Sequence, residues 1–315
     1  MRIKGAHPFK PHRSPWQRRM DLTRHRAHRL DPVVKGLLWS IAAGLSFVLL
    51  NTLARYLTAQ LPPLQSQFLR YLFGFLIMLP LVARTGLAAW RPRNIRGQFV
   101  RGIVHTVGLG LWFVALPKIT LAKTTAIGFT TPIFIMLGAW LFLGESMRWE
   151  RWLAALLGFA GVLVVVSPGL MDGGGYWSLV MLASSPVFAA SFLIVKALTR
   201  HESPGVIVLW QSMTVTLLSL PLALLDWQAP TGVQWFGYLV CGLLGSGAHY
   251  CLTRSYAVVD ISATQSLKFL DLVWAALLGW LVFADVPSSY TLIGGLIIAG
   301  ATVWIARREA RRPRT

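Results

Sequence analysis

Lys268 and Asp271 are the residues of this 315-residue chain best placed to do chemistry. They lie three apart inside an apolar run that opens near Ile261, so they share one face of a helix. At about 1.5 Å per residue they sit about 12 and 16 Å into that run, near the middle of a hydrocarbon layer about 30 Å thick. A charge at that depth costs about 2.5 to 3.5 kcal/mol on insertion scales, so both side chains are expected to face a bundle interior or water. Two roles fit. Either the pair neutralises itself and locks the bundle, or Lys268 meets a cargo carboxylate or phosphate while Asp271 meets an ammonium or carries a proton.

Arg70 lies six residues into another apolar run, about 9 Å from its edge; its stem can snorkel outward, or its head can face a cavity. Arg55 and Lys123 lie nearer an edge, where snorkelling is expected. Asn51, His105, Gln211, His249 and Gln265 are uncharged polar groups inside apolar runs. Such groups act as glue between helices, at about 0.6 kcal/mol per bond, or as cargo contacts. Imidazole also titrates near neutral pH and can shuttle protons. Pro132 interrupts its run and frees the carbonyl near Gly128, which Thr130 or Thr131 can satisfy or which can face a cavity; Pro186 and Pro221 are expected to break two later runs. Trp39, Trp112, Trp210 and Trp274 lie deep enough to stack on a planar cargo or to pack. Trp90, Trp149, Trp152, Trp177, Trp227 and Trp235 fall at run ends, where an interfacial belt accounts for them.

Positioning these residues requires a membrane-embedded helical fold. The chain is 55% hydrophobic and 13% charged, with a mean hydropathy of +0.58. The pattern predicts an all-α integral membrane protein with ten spans, near 34–56, 64–83, 99–117, 120–143, 149–167, 176–198, 204–225, 233–254, 261–283 and 289–306. A net charge of +19 would suggest nucleic acid on a soluble domain, but the basic residues gather in the tails and alternate loops, so no nucleic-acid partner is expected. Residues 1–32 read as a basic cytoplasmic tail without the apolar core of a signal peptide, and Met20 is a second possible start. Four of the seven histidines lie in that tail without regular ligand spacing, so neither a metal nor a cofactor is expected. Cys241 and Cys251 fall in one span, about 15 Å apart as a helix, too far for a disulfide.

All but five of the 30 lysines and arginines fall on one side if both termini are cytoplasmic, the exceptions being Arg55, Arg70, Lys118, Lys123 and Lys268. The stretch from Thr120 to Glu145 recurs, shifted by 140 positions, from Asp260 to Asp285, with Thr124/Thr264, Phe129/Phe269, Leu137/Leu277, Trp140/Trp280 and Leu141/Leu281 matching. An even span count divided into two odd halves makes the second half inverted relative to the first. The expected repeats are 33–169 and 176–306, followed by a second basic tail at 307–315.

Leu38-Trp39-Ser40 and Arg70-Tyr71-Leu72 open the first two spans, and Leu143-Gly144-Glu145 precedes Arg151-Trp152-Leu153 and Gly158-Phe159-Ala160-Gly161. With Leu209-Trp210-Gln211 in the seventh span, this order resembles the EamA family of the drug/metabolite transporter superfamily over about residues 34–306. Ala284-Asp285 departs from the Gly-Glu usual at that point. The resemblance implies a basket of ten helices around a central cavity, working by alternating access.

The reading that follows is a secondary transporter of a small organic metabolite in the cell membrane. Arg70, Lys268 and Asp271 together make a slightly positive cavity, favouring an amino acid or organic anion over the alternative of a multidrug or cationic-metabolite exporter. Candidate cargo residues are Lys268, Asp271, Arg70, Asn51, His105, Gln211, Gln265, Thr131, Pro132, Trp112 and Trp210. A membrane-embedded enzyme lacks support, since His201-Glu202 in a loop is the nearest acid/base candidate; a non-transporting scaffold would need neither deep charges nor duplication. Ala154-x-x-x-Gly158 and Gly295-x-x-x-Ala299 offer small-residue faces for helix contact within the chain or in a homodimer.

Overall fold

The computed structural model describes residues 31–58, 60–115, 118, 127–146, 148–167, 175–283 and 288–310. The greater part of the two basic tails, Lys123 with the rest of 120–126 in the fourth expected span, and Asp285 lie outside them. Every regular element among the described residues is helical: α1 (Pro32–Thr58), α2 (Pro63–Thr85), α3 (Ile95–Ala115), α4 (Thr131–Leu143), α5 (Trp149–Val166), α6 (Gly175–Leu198), α7 (Pro204–Leu224), α8 (Gly232–Val258), α9 (Ile261–Gln265), α10 (Leu270–Phe283) and α11 (Ser289–Ala310). A one-turn 3-10 helix, Ser266–Phe269, joins α9 to α10. Six stretches are long and apolar enough to cross a membrane by length and composition: Pro32–Ala54, Pro63–Thr85, Gly175–Leu198, Pro204–Leu224, Ile261–Leu278 and Ser289–Arg308. Outside that set, α4 has only 13 residues, and α3 and α8 place glutamine, histidine and other polar groups on their buried faces.

Helix ends follow local chemistry. Ser203 accepts from the Val206 N–H at the start of α7, and Thr231 with Gln234 forms a capping box at the start of α8. Gly144 ends α4 at φ 69°, a left-handed geometry that a side chain would oppose, and the Glu145 N–H reaches back to the Ala139 carbonyl at 3.1 Å.

The packing has an internal exchange symmetry. The most extensive pairs are α1 with α8, α3 with α6, α5 with α11 and α2 with α7; α2 also packs on α8, α3 on α7, α4 on α6 and α10 on α1. Exchanging α1 for α6, α2 for α7, α3 for α8, α4 for α10 and α5 for α11 maps this set onto itself. Close approaches depend on glycine. A Cβ at Gly161 would meet the Gly294 carbonyl at 2.9 Å across the α5/α11 contact, and one at Gly242 would meet the Gly74 nitrogen at 2.6 Å across α2/α8. Gly158 packs on Phe269 as a small residue should, but Gly295 has open space around it, so the working α11 contact is Gly294, one position earlier than the expected motif.

The helix breaks differ from expectation. Helices α6 and α7 run unbroken through Pro186 and Pro221. The ninth span, which has no proline, breaks at Ser266–Phe269. The Gln265 side chain donates to the Ile261 carbonyl at 2.7 Å and to Thr264 Oγ1 at 3.0 Å, supplying side-chain bonds where the ladder is interrupted. In the first repeat, a helical turn at Ile127–Gly128 gives way to a turn at Phe129–Thr130, after which Pro132 sits in the opening turn of α4. The Ile127 carbonyl there accepts from the Thr130 N–H at 2.9 Å, from Thr130 Oγ1 at 2.6 Å and from Ser185 Oγ at 3.2 Å. Thr130, not Thr131, therefore repairs this break. The two breaks meet: Phe129 and Phe269 stack with centroids 5.6 Å apart and planes 23° apart.

Candidate functional site

The 3-10 turn of the broken ninth span carries Lys268, and the first turn of α10 carries Asp271. Their charged atoms lie 3.6 Å apart, with side chains 18% and 22% exposed. The Lys268 ammonium stands 4.9 Å from the centre of the Phe47 ring on α1, and the Asp271 carboxylate packs directly over Gly44, one turn away on the same helix. A side chain at residue 44 would collide with that carboxylate, so glycine here lets α1 approach the pair.

From Phe47 the contacts lead inward. Its ring meets His249 of α8 edge-on at 5.1 Å, and His249 meets His105 of α3 edge-on at 5.7 Å. Tyr71 Oη and His105 Nε2 are 2.9 Å apart, and His105 Nδ1 lies 3.1 Å from Ser191 Oγ on α6. Phe188 and Phe192 pack edge-on against the His105 ring. Gln211 of α7 approaches His249 at 3.5 Å and accepts from the Arg101 guanidinium, which also donates to the Ile207 carbonyl at 2.9 Å. Arg70 lies over the Tyr71 ring at 5.2 Å with its Nε buried, so its head turns inward instead of snorkelling. The result is a continuous cluster of aromatic rings, imidazoles and cations. It draws on seven helices, α1, α2, α3, α6, α7, α8 and α10, and runs from the Lys268–Asp271 pair to Arg101.

Lys268, Asp271, Arg70, His105 and Gln211 are thus brought into one cluster. Gln265 is buried at the break and holds backbone. Pro132 is buried and Thr131 half-buried at the matching break of the first repeat. Asn51 is exposed, and Trp112 is half-buried on α3. Trp210 donates to the Trp90 carbonyl at 3.1 Å and packs edge-on with Phe99, tying α7 to the segment between α2 and α3. That anchoring accounts for Trp210 without a cargo. Glu202 is buried too, accepting from the Asn94 N–H at 2.7 Å, where a solvated loop was expected.

Sequence reasoning missed Arg101, counting it among loop charges; it is 1% exposed, seven residues into α3. The signal was present in spacing. Gln98, Arg101 and His105 fall on one helical face, whereas Phe99, Val100, Ile103, Val107 and Val114 are exposed on the other. In a membrane the polar face of a helix is the inner one.

One end of the bundle is held shut by contacts between the halves. Glu145 accepts from the Ile261 N–H at 2.8 Å and the Ser262 N–H at 3.0 Å, a carboxylate set at the N-terminus of α9. Arg151 reaches Ser262 Oγ at 2.7 Å and Asp260 at 3.0 Å. Lys196 donates to the carbonyls of Tyr256 and Val259, at 2.7 and 2.6 Å, closing the end of α8.

The sequence model of the EamA-like transporter family matches residues 34–167 and again 175–307. The chain belongs to this family. A protein named riboflavin transporter from Rhizobium johnstonii is 37% identical over 284 residues, 89% of this chain and 94% of that protein. One of the same name from Vibrio cholerae is 30% identical, covering 89% and 96%. A protein named S-adenosylmethionine uptake transporter from Rickettsia prowazekii is 26% identical, covering 90% and 96%. A solved crystal structure with 21% identity covers 87% of this chain and 98% of its own, with a TM-score of 0.76, and shares the fold. The EamA-like chain is a multi-pass membrane protein of a small-metabolite transporter family.

Proposed function

We propose that this EamA-like protein is a secondary transporter of a planar heteroaromatic metabolite, with riboflavin the first cargo to test. In this reading ten spans form two inverted five-span repeats that rock about the crossing of the two broken spans, with both termini cytoplasmic. The exchange symmetry of the helix pairs and the concentration of basic residues at one end support that arrangement.

The observation that carries the cargo class is the cluster around His249. Phe47, Tyr71, His105, Phe188 and Phe192 gather there with Gln211 and the Arg70 and Arg101 cations, beside a helix break carrying Lys268 and Asp271. Edge-to-face rings suit a flat ring system, and the polar groups suit its heteroatoms. Two relatives named as riboflavin transporters, at 37% and 30% identity over nearly the whole chain, point the same way.

A second reading is an organic anion. Lys268 is offset by Asp271, but neither Arg70 nor Arg101 has a carboxylate partner among the described residues, which leaves net positive charge at the cluster. Thermal unfolding of the purified protein in detergent with riboflavin, amino acids, organic acids and cationic dyes separates the two. A ligand at 100 times its dissociation constant stabilises the folded state by about 2.7 kcal/mol. Stabilisation by riboflavin, together with its unmodified uptake into proteoliposomes, is the expected result. Stabilisation by carboxylates alone selects the anion, and by cationic dyes alone refutes both.

A further inference from the structure

The buried face of α3 carries polar atoms that the closed bundle does not use. Gln98 is 1% exposed, and neither its amide oxygen nor its amide nitrogen has a hydrogen-bond partner among the described residues. Arg101, one turn further, binds the Ile207 carbonyl and Gln211 through its two terminal nitrogens, while its buried Nε has no partner. An unmet buried polar group costs about 1 to 3 kcal/mol. A glutamine serving only to fill space there would be outdone by leucine or methionine. Both residues lie within two turns of the start of α3, at the end of the bundle where Glu145 and Arg151 bridge the halves and Lys196 ties α6 to the end of α8. Loosening those bridges opens that end.

We propose that Gln98 and Arg101 form a recognition subsite, occluded in this conformation and exposed when that end opens, for the imide edge of a heteroaromatic cargo. The inference rests on the heteroaromatic reading above. An imide presents acceptor, donor and acceptor in a row: carbonyl, ring N–H, carbonyl. The unused atoms supply the complement. The Gln98 amide donates through Nε2 to one carbonyl and accepts from the ring N–H through Oε1, and Arg101 Nε–H donates to the second carbonyl. The pyrimidine edge of riboflavin has this pattern. The bound edge would lie one to two turns along α3 from His105, so the rest of the ring system would reach toward the aromatic cluster.

The test compares riboflavin with N3-methylriboflavin, which lacks the ring N–H, in proteoliposomes holding the full chain or Gln98→Leu. The wild-type protein is expected to favour riboflavin in kcat/KM by at least about tenfold, because a site that hydrogen-bonds a group rejects the analogue lacking it. Gln98→Leu is expected to lower riboflavin transport more than that of the analogue, so that the preference between the two flavins largely disappears. Its melting temperature is expected to match or exceed the wild-type value, since no bond is lost in the closed state. Retained discrimination in Gln98→Leu, or a melting temperature several degrees lower, overturns the subsite. So does a wild-type protein that carries both flavins equally, and that result leaves the proposed function standing. Transport of neither flavin overturns the cargo reading itself, and the subsite with it.

Discussion

Replacing Lys268 with methionine leaves Asp271 as a lone carboxylate near mid-span, beside Gly44 and 22% exposed. Breaking a buried pair costs about 3 to 5 kcal/mol, and an unpaired charge at mid-membrane about 2.5 to 3.5 on insertion scales. Both side chains retain some exposure, so Lys268→Met should cost about 2 to 3 kcal/mol. At about 2.1 cal/mol/K of unfolding entropy per residue, 1 kcal/mol shifts the melting temperature of a 315-residue chain by about 1.5 °C, which gives a fall of about 3 to 5 °C. Asp271→Asn should cost less. The amide keeps its fit over Gly44, and the freed ammonium keeps the Phe47 ring face at 4.9 Å. The double variant carries no charge and should recover to within about 1 kcal/mol of wild type. Thermal unfolding of the four proteins measures the coupling directly. A double variant no more stable than Lys268→Met would refute the claim that the two charges compensate each other. Uptake then separates the two roles this pair can play. If the pair touches cargo, the double variant regains stability without regaining transport; full transport reduces it to a lock.

Glu145→Ala strips the acceptor from two backbone N–H groups and Ser262 Oγ at the start of α9, and should lower stability by about 1 to 3 kcal/mol; Glu145→Gln, which keeps an acceptor, should lose less in the same unfolding assay. Gly161→Val should sharply reduce folded protein in membranes, because its side chain meets the Gly294 carbonyl and Ile298, as fluorescence-detected size exclusion would read. Trp210→Phe removes the bond to the Trp90 carbonyl and should cost about 1 kcal/mol of stability with an unchanged KM for cargo; a raised KM would return Trp210 to the cargo site.

Composition and run length made the helical membrane fold legible, because nothing else satisfies so many apolar backbone segments in lipid. The repeat was legible through Phe129 and Phe269, whose equivalence in sequence becomes a physical stack. Arg101 was not. A cation near a span end normally marks the aqueous side, and only its register with Gln98 and His105 reveals the inward face. Pro186 and Pro221 misled for a related reason. Proline removes one donor, but a helix packed on its neighbours continues through it, whereas the break at Ser266–Phe269 arises without any proline. Trp210 looked like a platform because depth alone does not say whether an indole N–H has a backbone partner.

The two breaks are equivalent in position but not in chemistry. Lys268 and Asp271 correspond, at a shift of 140, to Gly128 and Thr131, which carry no charge. Backbone symmetry suits a motion in which either repeat can rock about the other, since each state must be close in energy to its mirror counterpart. A cargo with distinct ends cannot be held by identical half-sites. At the two breaks themselves charge is confined to the second, with Phe129 and Phe269 keeping the crossing apolar, so in the proposed transport cycle the shared geometry would serve the motion and the unshared side chains recognition. Placing a Lys–Asp pair at 128 and 131 should therefore disturb cargo affinity far more than it disturbs the fold, and equal affinity in that variant would count against this division of labour.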